Sequence, residues 1–331
     1  MAVSQQSRMR ALKLALGVGL SAALLYAMFA QAPLAAVGRA LASAAPEWIA
    51  MAVLAVAVAY ALKVLRWLVM LRGLGAHAGV HEASIGLLGS VALNNVLPFR
   101  AGDVIRVLAF EKITGLPPSQ QAGTLILERL LDLLSLCLIV FVTMTLADIT
   151  LSDPRIGWAL QLGSLAAIAA IVVLVVAPRP LESLTHWGVA RVPALRRVGE
   201  IAVRLLGAIH TLTRWRLLLK AGVLSVCAWT CEGLAFVAVG RSLGLTHAAA
   251  GDWLAMGAGT LSTMIPSAPG YVGTFHYFTA LVVSAFGAER GAAAAYAILI
   301  HGILWLATTS AGFLLLASSP LRTAKSAVAK G

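Results

Sequence analysis

Apolar residues run through this chain in blocks of membrane length, and the polar positions that interrupt them set the predicted elements. Nearly uncharged runs predict spanning helices over 11–31, 48–71, 120–147, 156–178, 217–240 and 291–316. Two further apolar stretches, Ser84 to Leu97 and Asp252 to Ile265, are too short to cross a core of about 30 Å at about 1.5 Å per residue. Each is followed by a second short stretch, Gly102 to Lys112 and Gly270 to Phe286, so each pair is expected to form a re-entrant hairpin. The expected fold class is an all-α polytopic membrane protein with six transmembrane helices plus two re-entrant helical hairpins, forming one integral membrane domain over 1–331.

The hairpin breaks look like copies of each other. The first, Leu93 to Arg106, holds Asn94, Asn95, Pro98, Arg100, Gly102, Asp103 and Arg106. At a single ungapped offset of 168 (266 − 98), Pro98 meets Pro266, Leu93 meets Leu261, Leu97 meets Ile265, Gly102 meets Gly270 and Val104 meets Val272. Asn94-Asn95 then meets Ser262-Thr263, and Pro269 and Gly273 complete the second break. Broken backbone at membrane depth is tolerated only where it is buried in protein or lines a polar cavity. Paired interrupted segments in two halves of a chain point to a transporter's binding site. Two ordinary turns sharing a Pro and a Gly would look the same, so topology is the check. Units 11–147 and 156–316 hold three predicted crossings each, an odd number, which makes the second unit inverted relative to the first.

Composition narrows the class. Of 331 residues, 60% are hydrophobic and 11% charged, too apolar for a soluble protein of two domains. The net charge of +12 is explained by the positive-inside rule: with both termini cytoplasmic, only Arg39, Arg155, Arg241 and Arg290 of the 25 basic residues fall in outer loops. No DNA or RNA recognition motif is present, and nucleic acid is not expected as a partner. The basic segment 179–220 carries apolar residues at threes and fours and reads as an amphipathic helix on an anionic lipid surface, or as a plain cytoplasmic linker helix. Lys63, Arg66 and Arg72 are expected to snorkel to one interface, and Trp48, Trp67, Trp158, Trp215 and Trp253 to act as interfacial anchors. Arg8, Arg10 and Lys13 ahead of an apolar run also outline a signal peptide, but the later spans need this helix, so it is expected to be retained.

Candidate chemistry gathers at the breaks and on the helix that follows the first. Arg100 and Arg106 suit bidentate contacts to phosphate, and half-helix N-termini favour anions. Ser262, Thr263 and His276 supply hydrogen-bonding groups at the second break. Glu128, Arg129 and Asp132 stand in the first half of one apolar helix, where each buried charge costs about 2.5–3.5 kcal/mol, and they read as a site or a bundle-interior network. An interfacial position would be the bland alternative. His301, alone on an apolar helix, reads as a hydrogen-bonded core residue. Cys137, Cys227 and Cys231 sit in apolar runs and read as small core residues, with no metal site and no cofactor expected.

Asn95 to Arg106, Glu128-Arg129-Leu-Leu-Asp132 after the Gly115 turn, and Ile265 to Gly273 together resemble the lysylphosphatidylglycerol synthase transmembrane-region family. The resemblance covers nearly the whole chain. It implies a bacterial cytoplasmic-membrane protein that moves lipids or lipid-linked groups, with these motifs around the lipid path. Asp103 stands where many relatives carry Glu. The sequence ends at Gly331 without an aminoacyl-transfer domain, so lysyl transfer is not expected.

Three functions compete: a flippase for a phospholipid, hopanoid or lipid-linked glycan; a membrane enzyme using Asp103, Glu128 or His276 as acid, base or nucleophile; and a scaffold for biosynthetic partner proteins. A homodimer is also left open. No Walker loop, His-Glu-x-x-His or Gly-x-Ser-x-Gly elbow is present, so transport without chemistry is the expected activity, downhill or ion-coupled.

Overall fold

The computed structural model describes residues 2–147, 161–169, 172, 205, 207–246 and 249–318, with the side chains of 2–14 and of Lys112 left aside. Of the predicted span 156–178, residues 161–169 and 172 are described, all helical, and most of the basic segment 179–220 lies outside the described residues. Among the described residues the fold is all helical. Among the described residues three helices are long and apolar enough to cross a membrane, and a bent pair would make a fourth.

Helix α1 (Ala2–Phe29) turns by 81° into α2 (Leu34–Ala42), a helix that the apolar pattern did not separate from the following loop. Pro33 sits at the N-cap of α2, where proline disfavours a helical conformation at the residue before it. Helix α3 (Pro46–Gly73) starts on a proline whose missing N–H costs nothing in the first turn, with Glu47 beside the positive end of the dipole. Next come α4 (Val80–Val96), a one-turn 3-10 segment (Pro98–Arg100), α5 (Ala101–Ala109), the short α6 (Glu111–Thr114) and α7 (Pro118–Leu146). The second half repeats the order of α3, α4, 3-10 turn, α5 and α7: α8 (Trp215–Ser242), α9 (Ala249–Ser262), another 3-10 turn (Pro269–Tyr271), α10 (Thr274–Ala285) and α11 (Arg290–Ala317).

Helices α3 and α8 have 28 residues each and pack antiparallel along their length. The Ala45 N–H donates to the Ser242 carbonyl at 2.8 Å at one end, Arg66 reaches Ser225 in the middle, and Leu217 lies on Gly73 at the other. Other contacts exchange the halves: α4 packs on α11 and α9 on α7, while α3 touches α11 and α8 touches α7. Within each half the chain doubles back, α5 along α4 and α10 along α9. Gly102 makes the first return tight, because a Cβ there would overlap the Ser90 carbonyl oxygen.

Two apolar clusters hold the bundle. One gathers around Trp229, Phe236, Met256, Phe275, Tyr296 and Ile300, the other around Trp67, Leu71, Leu127, Leu131 and Leu212. Trp67 is therefore a core residue and not an interfacial anchor; its indole donates to Thr124 Oγ1 at 3.1 Å. Trp48 and Trp215 are exposed as expected. Leu212 and Ala208, near the end of the basic segment, are fully packed against protein and do not lie on a surface. Cys227 is exposed and so is not a core residue.

Candidate functional site

Both breaks adopt one backbone design. Leu97 and Ala268 are extended, as a following proline demands; Pro98 and Pro269 come next, and the two residues after each are left-handed. Those are Phe99 (φ 60°) and Arg100 (φ 52°) in the first break, Gly270 (φ 69°) and Tyr271 (φ 59°) in the second. The structural counterpart of Pro98 is thus Pro269, at an offset of 171 (269 − 98), and Gly102 answers to Gly273. The sequence register of 168 pairs Pro98 with Pro266 because α9 stops earlier than α4 and residues 263–268 form an added turn, in which Pro266 lies. A left-handed non-glycine residue costs about 1–3 kcal/mol and persists only where its surroundings over-determine it.

The tips of the two breaks touch. The Arg100 guanidinium donates to the Thr263 carbonyl at 3.2 Å and to Thr263 Oγ1 at 3.3 Å, and its carbon lies 5.7 Å from the centre of the Tyr271 ring. Asn95 donates to Thr308 and Thr309 on α11, and the Trp305 indole donates back to the Asn95 carbonyl. Helix α1 closes the second break from behind, with Ser21 Oγ accepting from the Ala268 N–H at 2.9 Å.

Behind the tips lies a cavity of about 180 Å³ lined by Tyr60, Lys63, Arg66, Asn94, Asn95, Arg100, Arg106, Glu128, Arg129, Asp132, Glu232, Thr263, Tyr271 and His301, among others. Its charges are paired across helices. Arg106 on α5 makes a two-pronged bond to Glu128 on α7, at 3.1 and 3.2 Å, and stacks 5.0 Å from the Trp67 ring. Arg66 on α3 bonds Asp132 at 2.6 Å, and Trp229 donates to the same oxygen at 2.9 Å. Lys63 bonds Glu232 at 2.5 Å and lies over the Tyr60 and Trp229 rings. Arg129 bonds Asp103 at 2.8 Å, and Asn94 clasps Asp103 both ways, giving its amide to the carboxylate and taking the backbone N–H. The first turn of α5 thus already carries an acid and a side-chain cap.

Lys63 and Arg66 do not snorkel: they are 8% and 1% exposed inside the bundle. Charge near the end of an apolar run signals an interface by default, and the partners stand far off in sequence, Glu232 at 169 residues from Lys63 and Asp132 at 66 residues from Arg66. Ser262 bonds within its own helix to the Gly259 carbonyl and stays off the cavity wall. His276 stands behind His301, with Nε2 at 3.1 Å from His301 Nδ1. Five cations (Lys63, Arg66, Arg100, Arg106, Arg129) meet four carboxylates (Asp103, Glu128, Asp132, Glu232), and among the described residues Arg100 is the one of the five without a carboxylate partner.

A second cavity, about 280 Å³, opens at the tips, and Leu97, Pro98, Phe99, Met264, Ile265 and Pro266 are among its lining residues. Asn94, Arg100, Thr263 and Tyr271 belong to the walls of both cavities.

Fold and site together define an integral membrane protein built around a buried, charge-lined chamber bounded by two broken helices. The chain belongs to the lysylphosphatidylglycerol synthase TM region family, whose match runs over residues 14–312. No curated protein matches it.

Proposed function

We propose that this protein moves an anionic or polar-headed lipid across the bacterial cytoplasmic membrane without altering it chemically. The observation that carries the reading is the junction of a charged chamber and an apolar one at Arg100, the chamber cation with no carboxylate partner among the described residues. A lipid needs both surroundings at once: a desolvated anion is stabilised by a guanidinium, and an acyl or isoprenoid chain by apolar walls.

The antiparallel pairing of α3 with α8, the exchanged contacts of the halves and the shared backbone design of the breaks support an inverted repeat with two re-entrant hairpins entering from opposite sides. The termini then lie on the cytoplasmic side, in keeping with the basic residues of the chain.

The test is leaflet exchange of a fluorescent phosphatidylglycerol in vesicles carrying the purified protein. Wild type accelerates exchange, R100A abolishes it while remaining folded, D132N abolishes it with a loss of stability because it strands Arg66, and the mass of the recovered lipid is unchanged. Exchange that survives in both variants rules out this assignment, and a lipid of altered mass replaces transport with catalysis.

A further inference from the structure

Neither the charge network nor the lipid reading uses the two buried histidines behind the second break. His276 lies in the first turn of α10 and His301 in the middle of α11, both under 10% exposed, with Phe275 stacked on His301 at 4.9 Å between ring centres. Their protonation states follow from the donors around them. The Gly273 backbone N–H has only a donor to offer, and it points at His276 Nδ1 at 3.3 Å, so that nitrogen accepts. A neutral His276 therefore carries its proton on Nε2 and gives it to His301 Nδ1 at 3.1 Å. His301 in turn carries its proton on the remaining nitrogen, where the Gly270 carbonyl is its backbone partner. The relay begins at Gly273 and ends at Gly270, two positive-φ residues of one break, and passes through α11 on the way.

Such a chain has no free lone pair. A proton added to His276 Nδ1 displaces the Gly273 bond; one added to His301 Nδ1 places two N–H groups head to head, and a tautomer flip only moves that conflict back to Gly273. One proton therefore breaks one link, whichever ring takes it.

The surrounding charges are engaged elsewhere. On α3, Lys63 and Arg66 are held by Glu232 of α8 and Asp132 of α7, and Tyr60 lies beneath Lys63. Arg106, Arg129 and Glu128 pair among α5 and α7. Arg100 and Tyr271 face each other at the breaks, and Asp252 of α9 bonds Tyr296 of α11. From α1 the Ser21 hydroxyl reaches the break, where it holds Ala268.

We propose that the His276–His301 pair is a proton-binding latch: neutral, it closes a chain of links from Gly273 through α11 to Gly270; protonated, it gives up one of those links and loosens the break. Its role as the coupling-ion site of lipid movement rests on the transport reading, but the latch itself does not. Because the extra proton is accommodated only when a link is open, acid shifts the population toward the loosened break. His301 lines the charged chamber, which gives the proton a route to the pair.

Two measurements test it, each at about pH 8 and about pH 5, the interval in which an imidazole changes charge. The first is spin-label mobility at the second break, using S267C in full-length protein with Cys137, Cys227 and Cys231 replaced by Ser. Mobility rises on acidification, and the rise disappears in H276Q and H301Q. The second is leaflet exchange of fluorescent phosphatidylglycerol, expected to be about tenfold faster at the acid end in wild type and flat in both variants, a size typical of coupling between sites. A break whose mobility ignores pH in wild type, or follows it equally in both Gln variants, overturns the latch. If mobility follows the prediction but no lipid moves at any pH, the latch stands and the transport reading falls.

Discussion

Lys63 and Glu232 are the eighteenth residues of two antiparallel 28-residue helices, and they bond each other at 2.5 Å. Side chains on a helix lean toward its N-terminus, so equivalent positions of antiparallel partners lean toward one another, and a Lys and a Glu placed there meet. Burial makes the pair a matter of matching more than of strength. Removing one partner strands the other, at about 3–5 kcal/mol, whereas removing both is close to neutral. K63M and E232Q are each expected to lower the unfolding midpoint in detergent, and K63M combined with E232M to recover most of the loss. If the single variants are as stable as wild type, the pair does not hold α3 to α8.

Arg100 and Arg106, alike in sequence, should separate by experiment. Arg106 is spent on Glu128 and Trp67, and R106K, which keeps the charge but loses the fork, is expected to cost about 1–3 kcal/mol in stability. Arg100 is half-buried with long bonds to Thr263 alone, so R100A should change stability by under about 1 kcal/mol while reducing binding of an anionic lipid. Thermal unfolding with and without added phosphatidylglycerol reads both effects: wild type gains stability from the lipid and R100A does not.

Gly102 has no room to grow. In G102A the new methyl meets the Ser90 carbonyl and the Asn94 amide, forcing α5 off α4 at an expected cost of about 1–3 kcal/mol. Because Asp103 follows directly, the same shift should weaken its bonds to Asn94 and Arg129, and lipid exchange should fall more steeply than the unfolding midpoint.

Ser21 tests whether the first helix is part of the machine. Its hydroxyl is the acceptor for the Ala268 N–H, so S21A leaves a break amide unpaired, at an expected cost of about 1–3 kcal/mol, and S21T restores the bond. A Ser21→Ala variant indistinguishable from wild type in unfolding would mean that α1 is only an anchor.

The sequence made some of this legible and hid the rest for physical reasons. Runs of apolar residues placed α3, α7, α8 and α11, because membrane-length hydrophobicity is a local property. Pro98 and Pro269 marked the breaks, since proline restricts its own and the preceding residue. The sequence offset differs from the structural one by three residues because the added turn 263–268 carries a proline of its own, Pro266, and because Phe99 and Arg100 adopt left-handed geometry with no glycine to announce it. Glu128, Arg129 and Asp132 read as a network from their spacing, but their partners Arg106, Asp103 and Arg66 are set by packing between helices. The pairing of His276 with His301 had no signal at all, because His276 reads as a group of the second break and His301 as a lone core histidine until α10 and α11 are side by side.

The four residues common to both cavities, Asn94, Arg100, Thr263 and Tyr271, form a seam where wet walls give way to oily ones over the width of a few side chains. A bilayer offers the same change of solvent, spread across its head-group zone. An amphiphile seated on the seam would keep each end in the medium it already prefers, so the barrier that slows spontaneous flip-flop, the drag of a polar group through hydrocarbon, is sidestepped rather than climbed.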